Sequence, residues 1–324
     1  MARVRDVLET RQVAIYFAAI VLAALTALAM PGTMQLEGAI NPALAVMLFA
    51  TFLQVPMADL GRAFLRGRFL LALGVANFIL VPLLVAALLP LLPAEPLVRL
   101  GVLMVLLCPC IDYVVTFAHL GRGDTRALLA ATPMLLVAQM ALLPLYLALF
   151  LGHAAAGIIQ IGPFLHAFAW LIAVPLAVAA GLQMAGARHD GAGRLMAALG
   201  LLPVPATALV LFLVVASVLP QLGAARDMAL RVAPIYVAFA AIAPLLGWIV
   251  GRLARLDPSA TRALAFSAAT RNSLVILPLA LAVPGAMPLL PAVIVTQTLI
   301  ELVSELVYIR VLPRLGGTRE GDGT

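Results

Sequence analysis

The hexapeptide CPCIDY at residues 108–113 places two thiols, a proline and a carboxylate inside a stretch that is otherwise apolar. Pro109 lacks a backbone N–H and its ring clashes with the preceding turn, so a helix through this segment is expected to kink or break. Asp112 follows shortly after the proline. An unpaired carboxylate in an apolar interior is costly, so Asp112 requires a cation, a proton or water. We therefore predict that Cys110 and Asp112 belong to a site for a substrate or an ion.

A second polar interruption, TRNS, lies in another apolar stretch near the far end of the chain. Arg271 is the single arginine in the middle of an apolar run, and Asn272 and Ser273 follow it directly. Three partners for its guanidinium follow from the residues, namely Asp112, a substrate anion and Glu301. A static bridge to Asp112, which would only hold two helices together, is the structural alternative. We count Arg271, Asn272 and Ser273 among the predicted substrate-binding residues.

Three polar side chains in the last apolar stretch are expected to share one helix face. Gln297, Glu301 and Glu305 are four residues apart, and residues at this spacing lie above one another on a helix. A buried stripe of this kind suits a relay for a proton or another cation. The alternative for Glu305 is a simple ion pair with Arg310. Together with Asp112, the three side chains form the predicted relay of the coupling ion.

The two cysteines are one residue apart, and we expect free thiols because neighbours at this spacing are rarely bridged. Thiolates prefer soft partners, so Cys110, beside the predicted break, is a candidate substrate ligand. Buried apolar filler is the alternative, and Cys108 fits that role better. The sequence shows no metal-ligand spacing, nucleophile–base pair, phosphate loop or dinucleotide-binding glycine pattern. We therefore predict no metal, no cofactor and no enzyme.

The elements that must position these residues are membrane helices. The chain is 65% hydrophobic and 10% charged, with a mean hydropathy of +1.15. A soluble domain has too little interior to hide such a composition, whereas apolar runs of about 20 residues mark membrane spans. All 20 basic residues are arginines, and the net charge of +6 is explained by membrane topology without a nucleic-acid partner. The predicted fold class is an all-α polytopic membrane protein whose partner is the lipid bilayer.

Ten predicted spans separate the polar breaks. They cover residues 12–30, 39–59, 69–92, 97–118, 125–151, 160–184, 195–219, 229–250, 260–283 and 286–312. The connections alternate in charge, with sixteen arginines on one side, three on the other and Arg271 inside a span. Positive loops remain in the cytoplasm, so both termini are predicted to be cytoplasmic, with the protein in the inner membrane.

The spans divide into five plus five, and an odd number of helices per half inverts the second half. We predict two inverted repeats, at 1–151 and 157–312, followed by a short polar tail at 313–324. Inverted repeats are common in secondary transporters, which bind substrates and ions near the midplane on interrupted helices. The interruptions fall in the fourth span of each half, so spans four and nine are expected to be broken and to cross.

At CPCIDYVVTF, AATRNS and TLIELV the chain resembles the bile acid:sodium symporter superfamily, and within it the arsenical-resistance branch of arsenite-efflux permeases. The resemblance covers essentially the whole chain. It implies a panel domain, a core domain and broken fourth and ninth helices that cross at the binding site. It also implies that Cys110 contacts the substrate. Two positions depart from that branch: Pro109 stands where arginine is expected, and no acid follows Asn272.

The residues and the resemblance together predict a secondary active transporter. The first reading is proton-coupled efflux of arsenite or a related metalloid oxyanion. The alternative is a sodium- or proton-coupled symporter for an organic anion of the bile-acid kind, with Arg271 meeting the carboxylate. A membrane sensor is not expected, because the tail RLGGTREGDGT is too short and polar to form a signalling domain.

Overall fold

The computed structural model describes residues 2–54, 66–111, 113–152, 166, 169–186, 188, 190–281, 283–286 and 289–315. Within these ranges the chain is helical, with a single one-residue bridge between extended segments in place of any strand. This agrees with the predicted all-α class. Asp112 lies outside the described residues, as does most of the predicted polar tail.

The first half of the chain contains seven of the described helices. They are α1 (Ala2–Ala29), α2 (Glu37–Gln54), α3 (Gly67–Val75), α4 (Val81–Leu88), α5 (Pro96–Leu106), α6 (Val114–Leu120) and α7 (Thr125–Leu151). A π-helical turn, Ala76–Leu80, joins α3 to α4, so the two form one continuous span. Helices α5 and α6 divide predicted span four at the segment that contains Pro109.

The second half of the chain contains the other seven described helices. A π-helical turn, Ala169–Ala173, leads into α8 (Val174–Gly186), and the further helices are α9 (Asp190–Leu199), α10 (Pro203–Val218), α11 (Leu222–Leu253), α12 (Pro258–Ala269), α13 (Ser273–Leu281) and α14 (Leu289–Val311). Helices α12 and α13 divide predicted span nine at residues 270–272. Both predicted interruptions therefore occur.

Each broken span begins with an acid followed by a proline. Asp257 precedes Pro258, and its carboxylate accepts the backbone N–H of Ser259 at 3.0 Å and of Ala260 at 2.9 Å, which caps α12. Burial alone would raise the pKa of Asp257, but these hydrogen bonds and the Arg66 charge bring it below its ordinary value. Proline suits the first helical position because that N–H has no partner inside the helix.

The same acid–proline pair begins α5, where Glu95 precedes Pro96. Pro96 and Pro258 lie 162 positions apart, and so do the break residues Pro109 and Arg271. A constant offset between matching features supports the predicted five-plus-five repeat, which stays a prediction for the whole chain.

The described helices form two groups. The panel group contains α1, α2, α8, α9 and α10, in which α10 packs against α1 and α2, and α8 packs against α2 and α9. The core group contains α3–α7 and α11–α14, in which α14 packs against α5, α11 and α13, and α12 packs against α11, α6 and α7. The groups meet where α10 contacts α14 and where α2 contacts α13. This division matches the panel and core domains that the resemblance implies.

Six helical segments within the described ranges are long and apolar enough to cross a membrane: Thr10–Ala29, Thr33–Gln54, Gly67–Leu91, Thr125–Leu151, Ala225–Leu253 and Leu289–Arg314. Large apolar side chains such as Leu28, Leu71 and Leu149 are exposed, as lipid-facing side chains are. The chain is therefore a multi-pass membrane protein. The other predicted spans contain shorter helices, two of them because the span is broken. Their number and orientation stay predictions.

Reporter fusions test the predicted topology. Fusions after residues 34, 94, 155, 224 and 285 should report the periplasm, and fusions after residues 64, 122, 190 and 256 should report the cytoplasm. The physical reason is the arginine excess in alternate loops. Two adjacent fusions that report the same side would contradict the five-plus-five inverted repeat.

Candidate functional site

The two helix breaks cross and satisfy each other's backbone. The N–H of Cys110 donates to the carbonyl of Thr270 at 3.0 Å, and the N–H of Asn272 donates to the carbonyl of Cys108 at 2.8 Å. An antiparallel bridge centred on Pro109 results. Backbone groups freed inside a membrane must find protein or water partners, and here each broken span supplies them for the other. The crossing thus fixes the backbone from which Cys110, Arg271 and Asn272 project.

The Arg271 side chain is fully buried, and described oxygen atoms surround its guanidinium. One terminal nitrogen (Nη2) donates to the carbonyl of Ser267 at 2.5 Å, the carbonyl of Ala268 at 2.8 Å and the Asn77 amide oxygen at 2.8 Å. The other (Nη1) donates to the carbonyl of Leu106 at 3.4 Å. The guanidinium therefore joins the ends of α5 and α12 to α3–α4.

Glu301 accepts three hydrogen bonds inside the protein. Its donors are the backbone N–H of Arg271 at 2.6 Å, the Tyr113 hydroxyl at 2.5 Å and the Gln297 amide at 2.6 Å. Glu301 was one of three predicted partners of Arg271, and the structure joins them through the main chain of Arg271. The carboxylate thus links α14 to both helix breaks.

Glu305 lies one turn further along α14 and is fully buried. It accepts a hydrogen bond from the Thr270 hydroxyl at 2.5 Å. Arg310, its alternative partner, donates instead to the carbonyl of Leu306 at 2.6 Å. The predicted stripe of Gln297, Glu301 and Glu305 therefore faces the crossing, with both carboxylates bonded to residues of the second break.

The other predicted site residues hold the local structure of the crossing. Both cysteines are buried thiols that form no disulfide. The Asn272 side-chain oxygen accepts the N–H of Val275 at 3.3 Å at the start of α13, and the Ser273 hydroxyl accepts a hydrogen bond from Thr298 at 2.9 Å. Asp112 lies outside the described residues, so its pairing with Arg271 stays a prediction.

A cavity of about 590 Å³ separates the panel group from the core group and reaches the crossing at Tyr113. The panel group contributes Thr10, Gln12, Tyr16, Thr51, Gln54 and Thr207 to its wall. The core group contributes Tyr113, Thr116, His119 and Thr125. Arginine, lysine and carboxylate side chains are absent from its wall as far as the chain is described. The volume falls in the range of sites for small organic ligands, and the polar groups of the described wall are hydroxyls and amides, with one imidazole.

Tyr113 is the structural link between the cavity and the buried carboxylate. Its ring lines the cavity, and its hydroxyl donates to Glu301. Sequence reasoning did not single out Tyr113 or the threonines and glutamines of the cavity wall. These residues come from helices far apart in the chain, and a polar residue near a span end is ordinary in sequence.

The fold and this site define a class: a multi-pass membrane transporter whose broken helices cross beside a central cavity. A comparison with known families agrees with this class. The Sodium Bile acid symporter family matches residues 41–225 of the 324-residue chain. The match covers more than half of the chain, which therefore belongs to this family. No curated protein matches the chain.

Proposed function

We propose that this protein is a secondary active transporter that carries a small organic solute through the cavity between its two helix groups. The observation that carries the proposal is the placement of that cavity, which ends at the crossing of two broken helices. Transporters of this architecture move one helix group against the other around a site near the midplane. The lining residues Thr10, Gln54 and His119 lie at the side predicted to be cytoplasmic, so the cavity corresponds to an inward-facing state.

The cavity favours an organic solute over an inorganic oxyanion. A volume of about 590 Å³ far exceeds what one arsenite needs. The hydroxyls and amides of its wall suit a solute with several neutral hydrogen-bonding groups. Arg271 is fully buried and engaged by oxygen atoms, so the proposal does not assign it a direct contact with a substrate carboxylate.

We assign the coupling step to Glu301 and to protons. An ionised Glu301 accepts from Tyr113, from the N–H of Arg271 and from Gln297. Protonation of Oε1 turns that oxygen into a donor, so the Tyr113 hydroxyl that now donates to it must turn to another acceptor, and the carbonyl of Arg271 lies 3.2 Å away. Tyr113 lines the cavity, so this change is felt where the solute binds. Glu305, bonded to Thr270 one turn away, continues the polar path along α14.

Arsenite efflux is the second candidate, and Cys110 favours it. The thiol lies in the crossing itself, one residue beyond Pro109, and soft thiolates bind thiophilic substrates. Since transport requires release, one or two thiols would bind arsenite only transiently. This reading requires the crossing to open, because Cys110 is fully buried in this state.

Two matched substitutions distinguish the candidates. Thr116→Trp fills the cavity wall and should lower uptake of the organic solute by at least about tenfold, since a substrate that no longer fits loses transport. Cys110→Ser should leave that uptake within about twofold, because a serine retains the backbone bond to Thr270. The measurement is uptake of arsenite and of a panel of labelled organic acids, sugars and amino acids into inverted vesicles, with and without a pH gradient.

Two control variants, Thr26→Trp near the other end of α1 and Cys108→Ser, should take up the solute at the wild-type rate. Arsenite resistance can be measured in an export-deficient host that carries each variant. If Cys110→Ser loses the resistance and Cys108→Ser keeps it, the second candidate replaces the organic-solute proposal. Uptake of the organic solute by Thr116→Trp at the wild-type rate would show that the solute does not pass through this cavity.

A further inference from the structure

The guanidinium of Arg271 lies where two half-helices end. Helix α5 ends at Leu106 and helix α12 ends at Ala269. The last carbonyls of a helix have no N–H partner within that helix. The guanidinium of Arg271 donates hydrogen bonds to three of them, the carbonyls of Leu106, Ser267 and Ala268. A helix also carries partial negative charge at its C-terminal end. The side chain therefore brings a full positive charge to the point where two such ends converge.

The oxygen atoms around the guanidinium are of the kind that bind coupling cations. In broken-helix transporters, unwound backbone carbonyls and the C-terminal ends of half-helices coordinate the sodium ion or proton. Here three such carbonyls and one amide oxygen converge on Arg271. A cation that belongs to the protein thus occupies the position to which these oxygens point.

The surroundings hold this arrangement in place. The Asn77 amide nitrogen donates to the Ser267 hydroxyl at 3.1 Å and to the carbonyl of Leu73 at 3.2 Å, which turns its oxygen toward the guanidinium. The Phe239 ring lies on the guanidinium with 5.6 Å between its centroid and Cζ, a cation–π distance. A buried arginine in a membrane is costly, and these contacts offset that cost.

We infer that Arg271 is a tethered substitute for a coupling cation: it fills the two half-helix ends that a sodium ion would otherwise occupy. Sodium is then not required at this position, although the chain belongs to a family described by sodium coupling. The inference deepens the proposed function, since it assigns to the transporter a built-in charge in place of a bound ion. It concerns cation binding, which can be measured whether or not a solute has been found.

Sodium-dependent stability of the purified full-length protein in detergent tests the inference. The wild type should melt at the same temperature in sodium chloride and in choline chloride of equal ionic strength. Arg271→Ala leaves the oxygen atoms without their cation, so it should melt lower in choline, and sodium should raise its melting temperature by at least about 3 °C, because a ligand that binds only the folded state stabilises it. Arg271→Lys retains a cation and should gain no more than a small sodium effect.

Arg262→Ala is the matched control. Arg262 lies on α12, the half-helix that ends just before Arg271, and it donates to the carbonyl of Arg122 in a loop, so its loss should create no sodium response. A sodium-specific rise in the wild type, or an Arg271→Ala variant equally unstable in both salts, would overturn the inference. Arg271→Gln, a neutral polar replacement, takes the place of the alanine variant if that one does not fold. If neither variant folds, the wild-type comparison decides by itself. A sodium response confined to the variants would support the inference even if no organic solute were transported. The melting experiment and the uptake experiment therefore fail independently.

Discussion

Replacing Glu301 by glutamine is expected to reduce proton-driven accumulation of the solute to the background level. Glutamine keeps the volume of the side chain but cannot lose or gain a proton at this position. It also brings an NH2 group toward donors that now meet a carboxylate, namely the Arg271 N–H, Tyr113 and Gln297. Hydrogen bonds to a charged group contribute about 1.5–3 kcal/mol, so the variant should also be measurably less stable.

Accumulation and exchange separate the two effects of this substitution. Proteoliposomes with an imposed pH gradient measure accumulation, and solute counterflow without a gradient measures whether the helices still move. We expect the first to be lost and the second to persist. Ser304→Ala is the control on the same helix, since the Ser304 hydroxyl donates to the carbonyl of Ile300 and is not among the described donors to Glu301. Accumulation by Glu301→Gln at the wild-type rate would exclude Glu301 as the coupling group.

The breaks in the helices could be predicted from single residues, because the physics is local. Pro109 cannot donate a backbone hydrogen bond, and α5 ends before it at Leu106. Arg271 in an apolar run signalled a second interruption, and residues 270–272 are indeed extended between α12 and α13. Gln297, Glu301 and Glu305 share a face because their spacing matches the helical period. These features needed no knowledge of the tertiary structure.

The partners of the buried charges could not be predicted in the same way. Three of the described acceptors of Arg271 are backbone carbonyls, and every residue type has one. The fourth, Asn77, is 194 positions away and lies on another helix. Sequence reasoning ranks charged partners first, so it proposed Asp112, a substrate anion and Glu301. The C-terminal ends of helices also attract a cation, but they exist only after folding.

One overlooked sequence signal supports the predicted relation between the two halves. Glu95-Pro96 and Asp257-Pro258 lie the same distance before the break residues Pro109 and Arg271. Side chains between these points differ, so a search for similar residues finds no repeat. An acid–proline pair suits a helix start because of its backbone geometry, so it can occur in both halves while the intervening side chains differ.

A second overlooked signal is the pair of glycines in GWIVG on α11. A Cβ atom added to Gly247 would lie 2.7 Å from the carbonyl oxygen of Leu264 and 2.8 Å from the Cα of Ala265. A Cβ on Gly251 would lie 2.8 Å from the Thr261 side chain and 3.0 Å from its Cα. Glycines four residues apart let membrane helices approach closely. The two glycines allow α11 to pack closely against α12, the half-helix whose terminal carbonyls accept hydrogen bonds from the Arg271 guanidinium.

Gly247→Val should therefore damage both the fold and the site. The obstacle is the backbone of α12, which cannot move aside as a side-chain tip would, so α12 must shift and carry its terminal carbonyls away from Arg271. Overpacking of this kind costs about 2 kcal/mol, which corresponds to a fall of about 3 °C in melting temperature for a chain of this length. Gly74→Val on α3 is the matched control, because a Cβ there meets nothing within 4 Å. Melting in detergent and proton-driven accumulation should both fall in Gly247→Val and stay unchanged in Gly74→Val. Equal melting temperatures for the two variants would mean that the close contact between α11 and α12 does not hold the crossing in place.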